Sequence, residues 1–212
     1  MQVAVKYPRV LLAHAQRGDC VQQLARDLSV QVATILSVQA RASLLLPGGS
    51  SPQQLLPLLA AEPLEWARVD VSPTDERWVA ADAEQSNWRL LQQGLPAAIC
   101  LDPRQADSAQ ASASLWADQL QARMPFAAVL LGMGEDGHIA SLFPGMPGLA
   151  PALDLQAAPS ALCAQAPSEP RQRLSLNLPM LLQAQWLGLL AFGQSKKQLI
   201  DAVLADMPQS RA

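Results

Sequence analysis

Residues Phe126 to Gly145 read FAAVLLGMGEDGHIASLFPG. Phe126 to Leu131 is an unbroken apolar run closed by a glycine, which predicts a buried strand bounded by breakers. The loop that follows places Gly132, Gly134 and Gly137 around the carboxylates Glu135 and Asp136, with His138 directly after them. Glycines there let the backbone take positive φ and approach a ligand closely. Histidine changes charge near neutral pH and suits general-base work, and His138 is one of only two histidines in the chain. The Gly132-x-Gly134-x-x-Gly137 spacing also mimics a dinucleotide fingerprint. That fingerprint must open a helix and be followed by an acidic residue about 20 residues on. Here Pro144 and Gly145 stop any long helix, so dinucleotide binding is rejected.

Working outward from this strand and loop, strand-like and helix-like segments alternate. Asp19 to Ala40 has Val21, Leu24, Leu28, Val32, Ile35 and Leu36 at helical spacing, with Asp19 as the expected N-cap. Ser43 to Leu46 is a strand entering PGGSSP, after which Ser51 is the expected N-cap of a helix over Pro52 to Ala60, with Pro57 an awkward member. Trp66 to Val71 reads as a strand and Asp75-Glu76-Arg77 as a loop. A helix over Glu84 to Gln93 ends at Gly94. Ala97 to Leu101 is a strand, Ala109 to Arg123 a helix, and Ala127 to Leu131 the strand of the opening stretch. Met146 to Pro170 reads as an irregular cover with one strand near Leu162. A strand at Leu174, a short helix after Pro179, a strand over Trp186 to Phe192 and a helix over Ser195 to Leu204 complete the pattern. This alternation predicts an α/β fold, a Rossmann-like, mostly parallel sheet with helices on both faces. Ligands of such sheets bind at the carboxyl ends of the strands. The loops PGGSSP, TDER, GMGEDGH and GQSK each follow a predicted strand and are expected to converge on one crevice.

Composition sets the frame. The 212 residues are expected to form one domain, with no signal in the first 18 or so. Half of the residues are hydrophobic, 16% are charged and the net charge is -3, which argues against general nucleic-acid binding. An anionic substrate must then be held by a few local cations. Cys20, Cys100 and Cys163 are odd in number and contain no CxxC, so they read as reduced, partly buried thiols rather than a disulfide framework or zinc site. No signal peptide is recognised: Val3 to Val5 is short, and Lys6 and Arg9 interrupt its surroundings. No stretch approaches the ~20 apolar residues of a membrane span. The expectation is a cytoplasmic protein, monomeric or a small homo-oligomer, with no membrane or nucleic-acid partner.

The loops carry distinct chemistry. Gly48, Gly49 and Ser50 join permissive backbone, hydroxyls and a helix N-terminus, an offer to a phosphate that is equally the pattern of an ordinary capped turn. There is no Gly-Lys-Ser/Thr, so it is not a P-loop. Arg77 presents a planar fork suited to phosphate or carboxylate oxygens, or a salt-bridge partner for Asp75 or Glu76. Ser86-Asn87-Trp88 reads chiefly as a helix cap. Lys196 sits where a cation opposes the helix dipole unless it meets an anion, whereas Lys197 reads as solvated. Arg173 is a third candidate cation, with surface placement as its default. Glu135, Asp136 and His138 sketch a partial metal-ligand set, but His14 is remote and brings no companions, so no metal is expected. No G-x-S-x-G elbow occurs. A base acting on water is the economical chemistry.

Taken in order, PGGSSP, TDERWV followed by SN, GMGEDGHIASLFPG, and RLSLNLP followed by GQSK resemble the 6-phosphogluconolactonase family, over about Arg41 to Leu204. The resemblance implies the fold shared with glucosamine-6-phosphate deaminases and ribose-5-phosphate isomerases, and no cofactor. It implies His138 as general base, with Asp136 orienting the ring. Arg77 and Lys196 would hold the substrate phosphate, aided by Gly48, Gly49 and Ser50; Asp75 and Arg173 are counted in the binding set beside them, apart from the resemblance. Amides of the loop through Gly132, Gly134 and Gly137 would meet the oxyanion. The implied substrate is a sugar-phosphate lactone. The chain departs from the family at Pro47, where Ser is usual, and at Asn177, where Thr is common. It also ends at Ala212, earlier than most relatives, which would expose a sheet edge. Two rivals are weighed. An amino-sugar-phosphate isomerase/deaminase typically has Phe-Asn-Glu-Pro-Gly after DGHIA, where this chain has Ser141-Leu142-Phe143-Pro144-Gly145 without that carboxylate. A catalytically silent sugar-phosphate-binding module would have less reason to keep His138 with both cations.

Overall fold

The computed structural model describes residues 12–206. The predicted strand and loop of the opening stretch lie within it; most of the N-terminal segment without signal, and the chain end at Ala212, fall outside the described residues. At the centre, β1 (Ala42–Leu46) pairs in parallel with β2 (Val69–Pro73) on one side and β5 (Phe126–Gly132) on the other. Adding β4 (Ile99–Cys100) and β8 (Ala184–Leu190) gives a five-stranded sheet in the order β4-β2-β1-β5-β8, all parallel. All of β1 and β2, and β5 up to Leu131, are buried; that is why Leu44 to Leu46 and Phe126 to Leu131 read as continuous apolar runs, whereas β2 carries Asp70 and Ser72 as buried polar groups.

Side chains leave each central strand toward two different cores. Leu44, Leu46 and Leu130 face α1 (Arg17–Leu36), α2 (Ser50–Ala60) and α3 (Asn87–Gly94), packing on Leu28, Val32, Leu55, Leu59 and Leu91. Leu45, Val129 and Leu131 face the other way, toward α4 (Ala109–Gln121), where Trp116 is fully buried and donates its indole N–H to Ser72 Oγ at 3.0 Å. On this second face lies a feature that local patterns do not announce. It is a three-stranded antiparallel sheet in the order β3-β7-β6, formed by β3 (Asp75–Arg77), β6 (Ala161–Gln165) and β7 (Gln172–Leu176). The short helices α5 (Leu149–Leu153) and α6 (Leu178–Leu181) and the C-terminal α7 (Gln194–Asp206) complete the order.

Several boundaries differ from expectation. The first helix begins at Arg17 with Gln16 at its N-cap, so Asp19 lies in the first turn, where a carboxylate still complements the dipole. It ends at Leu36, not Ala40. The second begins at Ser50, capped by Gly49 at φ 98° rather than by Ser51. Trp66–Arg68 forms a 3-10 turn and strand β2 starts only at Val69. The third helix starts at Asn87, later than Glu84, because Ser86 caps it by accepting from the Arg89 amide. The expected loop at Asp75-Glu76-Arg77 is a strand instead: its partners Ser175, Leu174 and Arg173 arrive from a distant part of the chain.

Candidate active site

The signature loop is folded tightly on itself. Isolated bridges join Met133 to Ile139 and Ile139 to Leu142, the Gly134 amide donates to the His138 carbonyl at 2.9 Å, and the Gly137 amide donates to the Gly134 carbonyl at 3.2 Å. This corrects one expectation: the amides of Gly134 and Gly137 are consumed in closing the turn and are not free to meet an oxyanion. Gly132 remains at the end of β5 opposite Leu190. Of these three glycines only Gly137 takes positive φ, at 84°. Gly134 answers a different need, because a Cβ there would collide with the His138 ring and Asp136 carboxylate. Ala140, at φ 49°, holds a strained left-handed conformation two residues beyond His138.

His138 Nδ1 lies 2.6 Å from Asp136 Oδ1. Partial burial pushes the Asp136 carboxyl up, but the hydrogen bonds from the His138 ring and amide outweigh it and hold the group below its ordinary value. An ionised carboxylate only accepts, so the proton of the neutral ring is assigned to Nδ1 and Nε2 is left basic. The Phe143 ring, 4.3 Å from the imidazole between centroids, supports the other flank.

Across the crevice the N-terminus of α2 has no side-chain cap, and Gly48, Gly49 and Ser50 line the cavity with Pro47. Gly48 has no room for a Cβ because Asn87 packs against its backbone. Arg77 and Arg173 are register partners across β3 and β7. Arg77 donates through Nη1 to Asn87 Oδ1, and Asn87 Nδ2 donates to the Asp75 carbonyl at 2.7 Å. Arg173 is 8% exposed rather than a surface residue, and its Nε donates to the Pro170 carbonyl at 2.7 Å. Burial lowers its guanidinium pKa and the neighbouring charge of Arg77 lowers it further, against the pull of Asp75 and Glu76. Two adjacent guanidiniums, one deeply buried, favour an anion between them. Asp75 Oδ2 accepts from Ser141 Oγ at 2.5 Å, which ties this wall to the signature loop.

Lys196 enters from the first turn of α7, with its Nζ 3.5 Å from Glu135 Oε1. Ser195 Oγ donates to the other oxygen of Glu135, and that bond is the main reason its carboxyl lies below the ordinary value. Lys197 points elsewhere, to Asp201. One cavity of about 270 Å³ is lined by Gly48, Gly49, Ser50, Asp75, Arg77, Arg173 and Lys196 together with Gly132, Gly134 and His138. Asp136 acts on it only through His138, and Gly137 lies at the turn behind it. His14 is exposed, and among the described residues no group of three or more His, Cys, Asp or Glu is arranged to hold a metal ion.

Three contributors escaped the sequence reading. Asn87 looked like a helix-cap neighbour but reaches into the cavity. Glu76 is fully buried under the site. Arg104 pairs with it at 3.3 Å from a loop with no motif. The signals available were the adjacency of Glu76 to Arg77 and the place of Glu76 and Asn87 in the TDERWV and SN blocks; none pointed to Arg104.

Fold and site together define a Rossmann-like α/β protein with a cation-lined crevice at the carboxyl ends of its parallel strands. The chain belongs to the family described as glucosamine-6-phosphate isomerases/6-phosphogluconolactonase, whose model matches residues 15–212. It is 38% identical over 210 residues to a 6-phosphogluconolactonase of Pseudomonas putida, covering 95% of this chain and 86% of that one. It is 39% identical to one from Pseudomonas aeruginosa, covering 89% and 83%. The crystal structure of a 6-phosphogluconolactonase from Shewanella baltica superposes with a TM-score of 0.82 at 31% identity, over 90% of this chain and 84% of that chain.

Proposed function

We propose that this protein hydrolyses 6-phospho-D-glucono-1,5-lactone to 6-phospho-D-gluconate, the lactonase step of the oxidative pentose phosphate pathway. The observation that carries the reading is the meeting of an Asp136-held imidazole with Arg77, Arg173 and Lys196 in one sugar-phosphate-sized cavity. The substrate phosphate docks among these cations and the uncapped first turn of α2. Neutral His138 takes a proton through Nε2 from a water that attacks C1. The tetrahedral intermediate then collapses, the C1–O5 bond breaks, and the protonated ring returns its proton to O5 as it leaves. No metal or cofactor is invoked in any step. The three free cysteines are those expected of a reducing compartment such as the cytoplasm.

The test is direct. Lactone generated by glucose-6-phosphate dehydrogenase should be converted to 6-phosphogluconate well above the spontaneous rate, and equal rates with and without the protein overturn the proposal. The isomerase/deaminase alternative finds no support in the segment after His138. There Ser141 is committed to Asp75 and Phe143 packs on the imidazole, with no carboxylate between them. Ammonia release from glucosamine-6-phosphate would reverse that judgement.

A further inference from the structure

Beneath the cavity lies a carboxylate that the chemistry does not touch. Glu76 is completely buried, and isolated buried charges are costly unless paired and hydrogen-bonded. Its Oε1 accepts from the Arg77 amide at 2.7 Å and the Asn87 amide at 2.8 Å. Its Oε2 accepts from the Trp88 amide at 2.7 Å and Ser86 Oγ at 3.1 Å, and lies 3.3 Å from Arg104 Nη1. Arg104 is itself nearly buried, donates to Ser86 Oγ at 3.1 Å, and sits with its guanidinium 5.7 Å from the centroid of the Trp88 ring. One carboxylate therefore caps α3 and staples it to β3.

The consequence reaches the cavity twice. Asn87, fixed at its amide by Glu76, receives the Arg77 guanidinium on its side chain and packs against the backbone of Gly48. We propose that Glu76, held by Arg104, is a positioning residue that sets Arg77, Asn87 and the Gly48 loop as one preassembled anion-binding unit. This deepens the proposed lactonase reading and rests on it for the identity of the substrate. It assigns Glu76 no contact with substrate, so its removal acts on binding of the anionic end and leaves the His138 side of the crevice alone.

Glu76→Gln keeps the volume but places an NH2 against donors. Turned one way it faces the amides of Arg77 and Asn87; turned the other it faces Trp88, Ser86 and Arg104. Loss of such charge-assisted bonds should raise KM for the lactone about 10-fold with kcat within about 2-fold. The inhibition constant of inorganic phosphate should rise by the same factor. Gly48→Ala, which pushes on Asn87 from the other side, should raise KM similarly, and the double variant should fall short of the product of the two effects. A merely structural Glu76 would lower Tm and the active fraction while KM and phosphate inhibition stay put, and that result overturns the inference. If Glu76→Gln does not fold, Arg104→Lys decides: an unchanged KM and phosphate affinity overturns it, and a rise in both supports it. Should the wild-type protein show no lactonase activity, the functional reading fails. Calorimetric binding of inorganic phosphate to wild-type and Glu76→Gln then still decides the positioning role.

Discussion

The two walls of the crevice are built to different standards. On the β3–α3 wall the polar groups are buried and mutually committed: Glu76 is 0% and Arg173 8% exposed, and Asn87 is bonded to all three residues of β3, Asp75, Glu76 and Arg77. On the facing wall the side chain of Asp136 is 48% exposed and that of Glu135 69%, and no residue of α7 is buried. A charge-binding wall gains from being preorganised, since ordering costs are met on folding rather than on binding. The wall carrying the base must exchange protons with water and release product, which suits access to solvent. The difference separates Arg77 and Arg173, expected to govern KM, from His138, expected to govern kcat; Lys196, on the open wall, is the exception that also binds.

The largest effect should come from the open wall. His138→Ala is expected to lower kcat by roughly 10²-fold or more while 6-phosphogluconate still binds, and near-normal turnover would remove the base assignment. On the buried wall, Arg77→Ala or Arg173→Ala is expected to raise KM roughly 10- to 100-fold, as loss of a charge-assisted contact predicts, and an unchanged KM would refute a phosphate role. Lys196→Ala should also raise KM, by a smaller factor because its ammonium is already shared with Glu135.

A pH profile sharpens the contrast. Burial raises the Glu76 carboxyl above its ordinary 4.5, while the Trp88, Asn87 and Arg77 amides and the Arg104 charge pull it down. Because the folded-state value is the higher one, the charged form costs stability above it, and that cost is relieved as pH falls toward 4.5. Protonation in this window also removes acceptor capacity from the clamp. The charges that act on Glu76 come from Arg104, in the loop before α4, and from Arg173 on β7; Arg77 reaches the carboxylate through its backbone amide, and Asp102 pairs with Arg104 at 3.0 Å. Asp136 and Glu135, both held below their ordinary values, remain ionised through the window. KM should therefore rise on the acid side before these carboxylates titrate, and the rise should vanish in Glu76→Gln. A rise that persists in that variant would assign it elsewhere. The smallest effect is expected from Glu135→Gln, about 2-fold on KM or kcat, as befits an exposed pair.

Much of this was legible along the chain. The apolar runs at Leu44 to Leu46 and Phe126 to Leu131 announced central parallel strands, because burial on both faces leaves no polar positions. The histidine, its carboxylate partner two residues away, and the glycine turn at α2 are local arrangements, written in neighbouring residues. What could not be read were the pairings that close over long distances. Asp75 to Arg77 looked like a loop because three polar residues carry no strand pattern; only the arrival of β7 made them a strand and set Arg173 beside Arg77. Glu76 looked like a salt-bridge partner for Arg77, and Arg104 carried no motif, since nothing in composition reveals that a chain will fold a helix N-terminus over a carboxylate. The loop amides looked free until the turn consumed them. Periodicity and turn chemistry are encoded residue by residue, whereas desolvation and the company a charge keeps depend on segments remote in sequence, and those come into being only when the chain packs.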